Sequence, residues 1–292
     1  MNLISKNTVA LLALVILFVP QSFAQDLSVY AVMETEKAID FQENYPNDIQ
    51  ILSSTPDQTA VMLSESITHT IRESITTHGP GYIYKASEED ALTALEAVFR
   101  TTSELDYTIT EDVFVNACLD LVDPDEIETT ILELQDYGTR YHTKPQAEQS
   151  VLDTQAKWDA LIAASGRTDI STRIYNHVAT PMPSLILTIE GASSPEEYVI
   201  VGGHIDSTSW NNNDAPGADD NASGIASLTE MIRVLLANEF VPQRTVEVMA
   251  FAAEEIGLVG SGEIAAEYAQ NGVDVLAFVQ FDMTGYKGSS ED

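Results

Sequence analysis

"RTVEVMAFAAEEIGLVGSGEIAAEYAQNG", residues 244–272, decides the fold. Its opening, "TVEVMAFA", is almost continuously apolar, the signature of a strand buried on both faces. Its second half, "GLVGSGEIAAEYAQNG", reads as a helix. Between them stand two adjacent acids, Glu254 and Glu255. Burying one carboxylate is costly, and burying two costs more unless something positive compensates. Working outward, "VDVLAFVQFDM" supplies another strand, and "ASGIASLTEMIRVLLANEF" a helix with apolar residues at three- and four-residue intervals. Further upstream "SLILTIEG" and "EYVIVGG" are strands separated by the turn-forming "ASSPE". Apolar strands alternating with helices predict an α/β fold with a largely parallel sheet covered on both faces, and in such folds sites form where strands end.

The remainder of the 292 residues bounds the possibilities. Apolar residues make up 44%, enough for a sizeable core. Only 13 Lys and Arg face 46 Asp and Glu, a net charge of −33. Such a field repels nucleic acid and anionic membrane surfaces, so neither is expected as a partner. "MNLISKNTVALLALVILFVPQSFA", residues 1–24, has a short basic n-region, an apolar stretch from Val9 to Val19 and a small-residue end at Ala24. This is the layout of a cleaved secretory signal peptide, the apolar stretch being too short for a membrane anchor. The protein is therefore expected outside the cell. Cys118 is the only cysteine, so any metal site must draw on His, Asp and Glu. Residues 25–120 hold four Lys or Arg and only weakly patterned helical and strand fragments. After them, "VDPDEIETTILELQDYG" opens as a helix at Asp123-Pro124, and "KPQAEQSVLDTQAKWDALIAASG" is a second helix ended by Gly166.

Four short segments place acids or a histidine at element boundaries. In "VGGHIDSTSW", residues 201–210, His204 and Asp206 are two apart and share a face of an extended strand. A metal-binding imidazole needs its second nitrogen held, and Asp206 is placed to do so; a surface His beside a turn Asp is the plainer alternative. In "APGADDNASG", residues 215–224, Asp219 or Asp220 reads first as a helix cap, though two acids between glycines also let a carboxylate come close to an ion. The Glu254–Glu255 pair makes sense if one acid binds metal and the other faces the attacking water. In "FVQFDMTGYKG", residues 278–288, Asp282 follows an apolar strand as a turn former or a further oxygen ligand.

Taken together, "GGHIDS", "PGADDNASG", "AAEEIGLVGS" and "DMTGYKG" resemble the secreted bacterial leucyl aminopeptidases, exopeptidases with two zinc ions, over a stretch from about Val122 to Asp292. The resemblance implies a mixed, mostly parallel sheet between helices, preceded by a small N-terminal propeptide. The domains would be a signal peptide at 1–24, a propeptide at 25–120 and a catalytic domain at 121–292. His204 and Asp282 would bind one Zn2+, Asp220 would bridge both ions, and Glu255 would bind the other. Glu254 would be the general base, Asp206 would orient His204, and Met283 would belong to the substrate pocket. The implied function is removal of N-terminal, hydrophobic amino acids from peptide substrates by a monomeric enzyme.

The family's second zinc also takes a histidine from well beyond the Asp282 position, whereas no histidine follows His204 here and the sequence stops ten residues after Asp282. The expectation is an incomplete copy of a longer protein, with weak or no activity of its own. His69, His78, His142 and His177 are poor substitutes. Two further readings stand beside this one: another zinc hydrolase of the same superfamily, carboxypeptidase-like or cyclising, and a secreted metal binder without activity.

Overall fold

The computed structural model describes residues 28–74, 81–96 and 110–286. The expected signal peptide, His78 and the closing residues 287–292 lie outside them. Two bodies follow one another along the chain.

The N-terminal body contains β1 (Ser28–Glu34), α1 (Thr35–Asn44), β2 (Ile49–Ser54), β3 (Gln58–Ser64), α2 (Glu65–Ser74), β4 (Ile83–Lys85) and α3 (Glu88–Ala94). Its four strands form an antiparallel sheet in the order β2-β3-β1-β4. Ala31, Met33, Phe41, Val61, Leu63, Ile67, Ile71 and Tyr82 make its core. The weak patterning of this stretch has a physical cause. α2, "ESITHTIRES", is rich in Ile and Thr, which favour strands. Ile67 and Ile71, one turn apart and both buried, settle it as a helix by packing. Next comes α4 (Asp112–Leu119), whose Phe114 ring lies 5.5 Å from Phe240, so the helix just ahead of the expected 120/121 boundary already touches the second body.

In the second body α5 (Pro124–Gln135) starts as read, the Asp123 carboxylate accepting from the Asp125 amide at 3.0 Å. α6 (Pro145–Ser165) ends at Gly166, which takes the left-handed φ of 68° that a glycine cap permits. β5 (Ile170–Tyr175), β6 (Ser184–Ile189), β7 (Ser194–His204), β8 (Arg244–Phe251) and β9 (Asp274–Gln280) form one sheet in the order β5-β6-β8-β7-β9. α7 (Gly224–Ala237) and α8 (Val259–Asn271) occupy the connections. The sheet is mixed, as expected: β7 runs parallel to β8 and β9, while β5–β6 and β6–β8 are antiparallel. β5 was not anticipated, and the balance is less parallel than the strand pattern suggested. An apolar run reports that a strand is buried but not its direction.

The core lies between this sheet and α5, α6 and α7. Ile225, Leu228, Ile232 and Leu236 recur along one face of α7 and are all buried. Buried Trp158 on α6 donates from Nε1 to Thr229 Oγ1 at 3.0 Å. β9 lies at the sheet edge with Leu276, Phe278 and Val279 about half exposed. Among the described residues no helix is long and apolar enough to cross a membrane. Functionally the important feature is that the parallel strands β7, β8 and β9 end at one edge, with His204 paired to Phe251 and Gly202 to Gln280.

Leu187, at the centre of β6 and fully buried, tests the core. Leu187→Ala should cost about 2–5 kcal/mol of unfolding free energy, read as a lower urea midpoint by far-UV circular dichroism.

Candidate metal centre

His204 is the last residue of β7 and is buried. Ile205 continues the ladder, its amide donating to the Phe251 carbonyl at 2.8 Å, and the chain then turns so that Asp206 sits beneath β8. Asp206 is fully buried, and its carboxylate accepts from the Glu254 amide at 3.0 Å and the Glu255 amide at 3.2 Å. His204 Nδ1 lies 3.1 Å from the Asp206 carbonyl and 3.4 Å from its carboxylate. Both partners are acceptors, so Nδ1 carries a proton and Nε2 points the other way.

Two further carboxylates meet Nε2: Asp220 at 3.0 Å and Asp282 at 3.6 Å. Asp220 arrives on a distorted turn, Ala218–Ser223, ahead of α7, and Asp282 on the loop after β9. The two adjacent acids of "GADDN" have separate tasks. Asp219 caps, accepting from Ser223 Oγ at 3.1 Å and the Gly285 amide at 3.0 Å, while Asp220 faces His204. His204, Asp220 and Asp282 each place one ligand atom within 4.8 Å of the others. Glu255 stands outside this trio, and Asp220 is the charged neighbour that acts on it most strongly.

The electrostatics describe a site short of positive charge. Burial alone would discharge His204, but hydrogen bonds to Asp206, Asp220 and Asp282 outweigh it and hold the imidazole pKa well above its usual value. Burial pushes Glu254 up to about 7, with His204 opposing and Asp206, Asp282 and Asp220 adding. Burial likewise raises Glu255, followed by the charge of Asp220. One imidazole and two carboxylates, with the distal ring nitrogen held by Asp206, is a donor set that suits a hard-to-borderline divalent cation such as zinc. The residues fit the metal. The backbone is also held tightly here. Of four described non-glycine residues with positive φ, Ala253 (54°) precedes Glu254 and Met283 (48°) follows Asp282. Such conformations cost of order 1–3 kcal/mol each and persist where packing over-determines them.

None of the other described histidines joins the trio. His69 contacts Arg72 Nη2 at 2.7 Å, His142 contacts Thr180 Oγ1 at 3.0 Å, and His177 lies between Glu263 and Ser184. Met283 is half-buried, its amide donating to Asn221 Oδ1 at 3.2 Å.

Residues 184–292 match peptidase family M28. That segment contains every residue of the centre. Leucine aminopeptidase 1 of Arthroderma gypseum is 34% identical over 181 residues, which is 59% of this chain and 48% of the relative. The chain spans about half the length of the curated relatives it matches. The LapA aminopeptidase structure from Legionella pneumophila has a TM-score of 0.75 at 25% identity, covering 91% of this chain and 72% of that one. LapB from the same organism shares the fold, with a TM-score of 0.77 at 24% identity over 91% and 73% of the two chains. Coverage of 91% takes in the N-terminal body as well as the M28 segment.

Within the M28 segment, sequence reasoning passed over Asn221. Its Nδ2 donates to the Phe281 carbonyl at 2.9 Å and its Oδ1 accepts from the Gly224 and Met283 amides, so it ties the Asp220 turn to both flanks of Asp282. An asparagine after two acids reads as an ordinary turn residue, and its distant partners are invisible to spacing.

Glu254 makes the metal-free protein sensitive to pH. Its folded pKa of about 7 exceeds the ordinary 4.5. The neutral acid is therefore favoured in the folded state, and stability present below pH 4.5 is lost as pH rises through 7. The loss should amount to about 3 kcal/mol between pH 4.5 and 8, and Glu254→Gln should remove that slope in urea unfolding curves of chelator-treated protein.

Proposed function

We propose that the chain carries the catalytic machinery of a secreted zinc aminopeptidase. The observation that carries this is the His204–Asp220–Asp282 cluster at the ends of parallel strands β7 and β9 and the turn before α7, beside a buried glutamate poised near neutrality, within a segment matching peptidase family M28. The similarity to leucine aminopeptidases supports peptides with a free N-terminus as the substrate class in this reading.

In this reading His204, Asp220 and Asp282 hold one zinc ion, and Asp220 and Glu255 contribute to a second. When bound, zinc polarises the scissile carbonyl and makes the attacking water more acidic. The protein's residues do the rest. Glu254 takes the water's proton and passes it to the departing amine, a task suited to a carboxylate raised to about 7. Asp206 fixes the proton on His204 Nδ1 and, through the two amides it accepts, sets where the glutamate pair stands. Met283 contributes to a pocket for a hydrophobic side chain, and the enzyme acts as a monomer.

We further propose that the N-terminal body is a propeptide lying over this site, with the leader at 1–24 directing export. Its separate sheet and core support that reading. So do its contacts: Arg72 Nη1 donates to the Glu255 carbonyl at 2.9 Å and Thr208 at 3.3 Å, and the Tyr84 amide donates to the Gly257 carbonyl at 2.9 Å. Gly257, at φ 109°, has no room for a side chain, since a Cβ would sit 2.9 Å from the Tyr82 ring.

Glu254→Gln should lower hydrolysis of leucine p-nitroanilide about 10²–10⁴-fold while zinc content by atomic absorption stays at the parent's value; loss of zinc would reverse the roles of the two glutamates. Arg72→Ala should weaken the hold of the N-terminal body by about 1.5–3 kcal/mol. The uncleaved protein should then turn over faster, with no change once residues up to about 120 are removed.

A further inference from the structure

Arg140 lies in "DYGTRYHT", between α5 and α6 and outside the M28 segment. It is one of only 13 basic residues in the chain, and its side chain is fully buried. The guanidinium makes no direct ion pair among the described residues. Its four hydrogen bonds go to main-chain carbonyls: Nε to Ile205 at 2.8 Å, Nη1 to Leu134 at 3.0 Å and Pro216 at 2.5 Å, and Nη2 to Gly217 at 3.0 Å. Ile205 lies between His204 and Asp206, and Pro216 and Gly217 lead into the turn that carries Asp220. One planar fork therefore spans the two segments whose side chains meet at His204 Nε2.

The surroundings reinforce that span. The Arg140 amide donates to Ser207 Oγ at 3.0 Å, and Ser207 Oγ donates to the Ala215 carbonyl at 2.6 Å, so the backbone of Arg140 is stitched to the same loop. Gly217 folds closely around the guanidinium with φ 53°; a Cβ there would stand 3.0 Å from Nη2 and 2.4 Å from the Asp220 carbonyl. Burying a cation costs several kcal/mol unless anions compensate. Here burial lowers the guanidinium pKa to about 10, and the nearby charges of Asp206, Asp220 and Glu255 oppose that cost in part.

We propose that Arg140 is a positioning residue of the metal centre, holding the His204 strand end and the Asp220 turn at the separation zinc requires and supplying a buried fixed positive charge beside the acids. This rests on the zinc reading above. Lysine cannot replace it fully, because one ammonium cannot reach four carbonyls in the geometry of a rigid fork.

The test uses the 292-residue chain and zinc alone, with affinity read by competition against a chromophoric chelator and folding by circular dichroism. Arg140→Met should bind zinc about 10–100-fold more weakly while keeping the parent's spectrum, and Arg140→Lys should recover only part of the loss. Tyr268→Phe is the control for stability alone. It removes a hydrogen bond to buried Glu247, remote from the centre, and should lower the melting temperature without changing zinc affinity. Parental affinity in folded Arg140→Met overturns the proposal, as does an equal fall in Tyr268→Phe. Should Arg140→Met not fold, Arg140→Lys decides, and parental affinity there overturns it. A parent chain that binds no zinc would instead sink the zinc reading itself.

Discussion

Asp206 offers its carboxylate to two backbone amides, those of Glu254 and Glu255, while its own backbone and side chain hold the proton-bearing nitrogen of His204. Most of the site's geometry depends on this buried acid. It joins the end of β7 to the end of β8, turns the imidazole outward, and fixes where the adjacent glutamates leave the sheet. The two amide donors satisfy the carboxylate oxygens, which is how a fully buried aspartate is tolerated.

Around it the protein concentrates negative charge with little to oppose it. His204, Asp206, Asp220, Glu254, Glu255 and Asp282 act on one another, and among the described residues the buried fixed cation beside them is Arg140. Burial and these neighbours raise the pKa values of Glu254 and Glu255, and the acids hold that of the imidazole well above its usual value. These are the properties of a centre built around cations, and burial together with these neighbours raises Glu254 to about 7. The opening puzzle, why two acids follow a buried strand, resolves into geometry. Both amides are used by Asp206.

The parts of the site legible in the sequence were those where local pattern and chemistry coincide. Apolar runs ending in His204, Glu254 and Asp282 announced strands with polar residues at their ends, and the helices beginning at Pro124 and Pro145 were marked by their caps. Less could be read where a short-range rule has two equally good solutions. Asp219 and Asp220 are interchangeable as caps until the fold turns one toward Ser223 and Gly285 and the other toward His204. α2 looked weakly patterned because its Ile and Thr residues favour strands, and β5 and the antiparallel pairings went unread because residue type does not encode strand direction.

By itself the sequence determined which residues could carry the chemistry and the kind of layered fold that would hold them, because composition and periodicity are properties of neighbours along the chain. Tertiary structure decided which of them meet. Asn221 binding both sides of Asp282, Arg72 reaching the Glu255 carbonyl, and Arg140 spanning Leu134, Ile205, Pro216 and Gly217 all join segments far apart in sequence. Their partners are main-chain groups, which every residue carries alike, so no pattern of side chains could have named them.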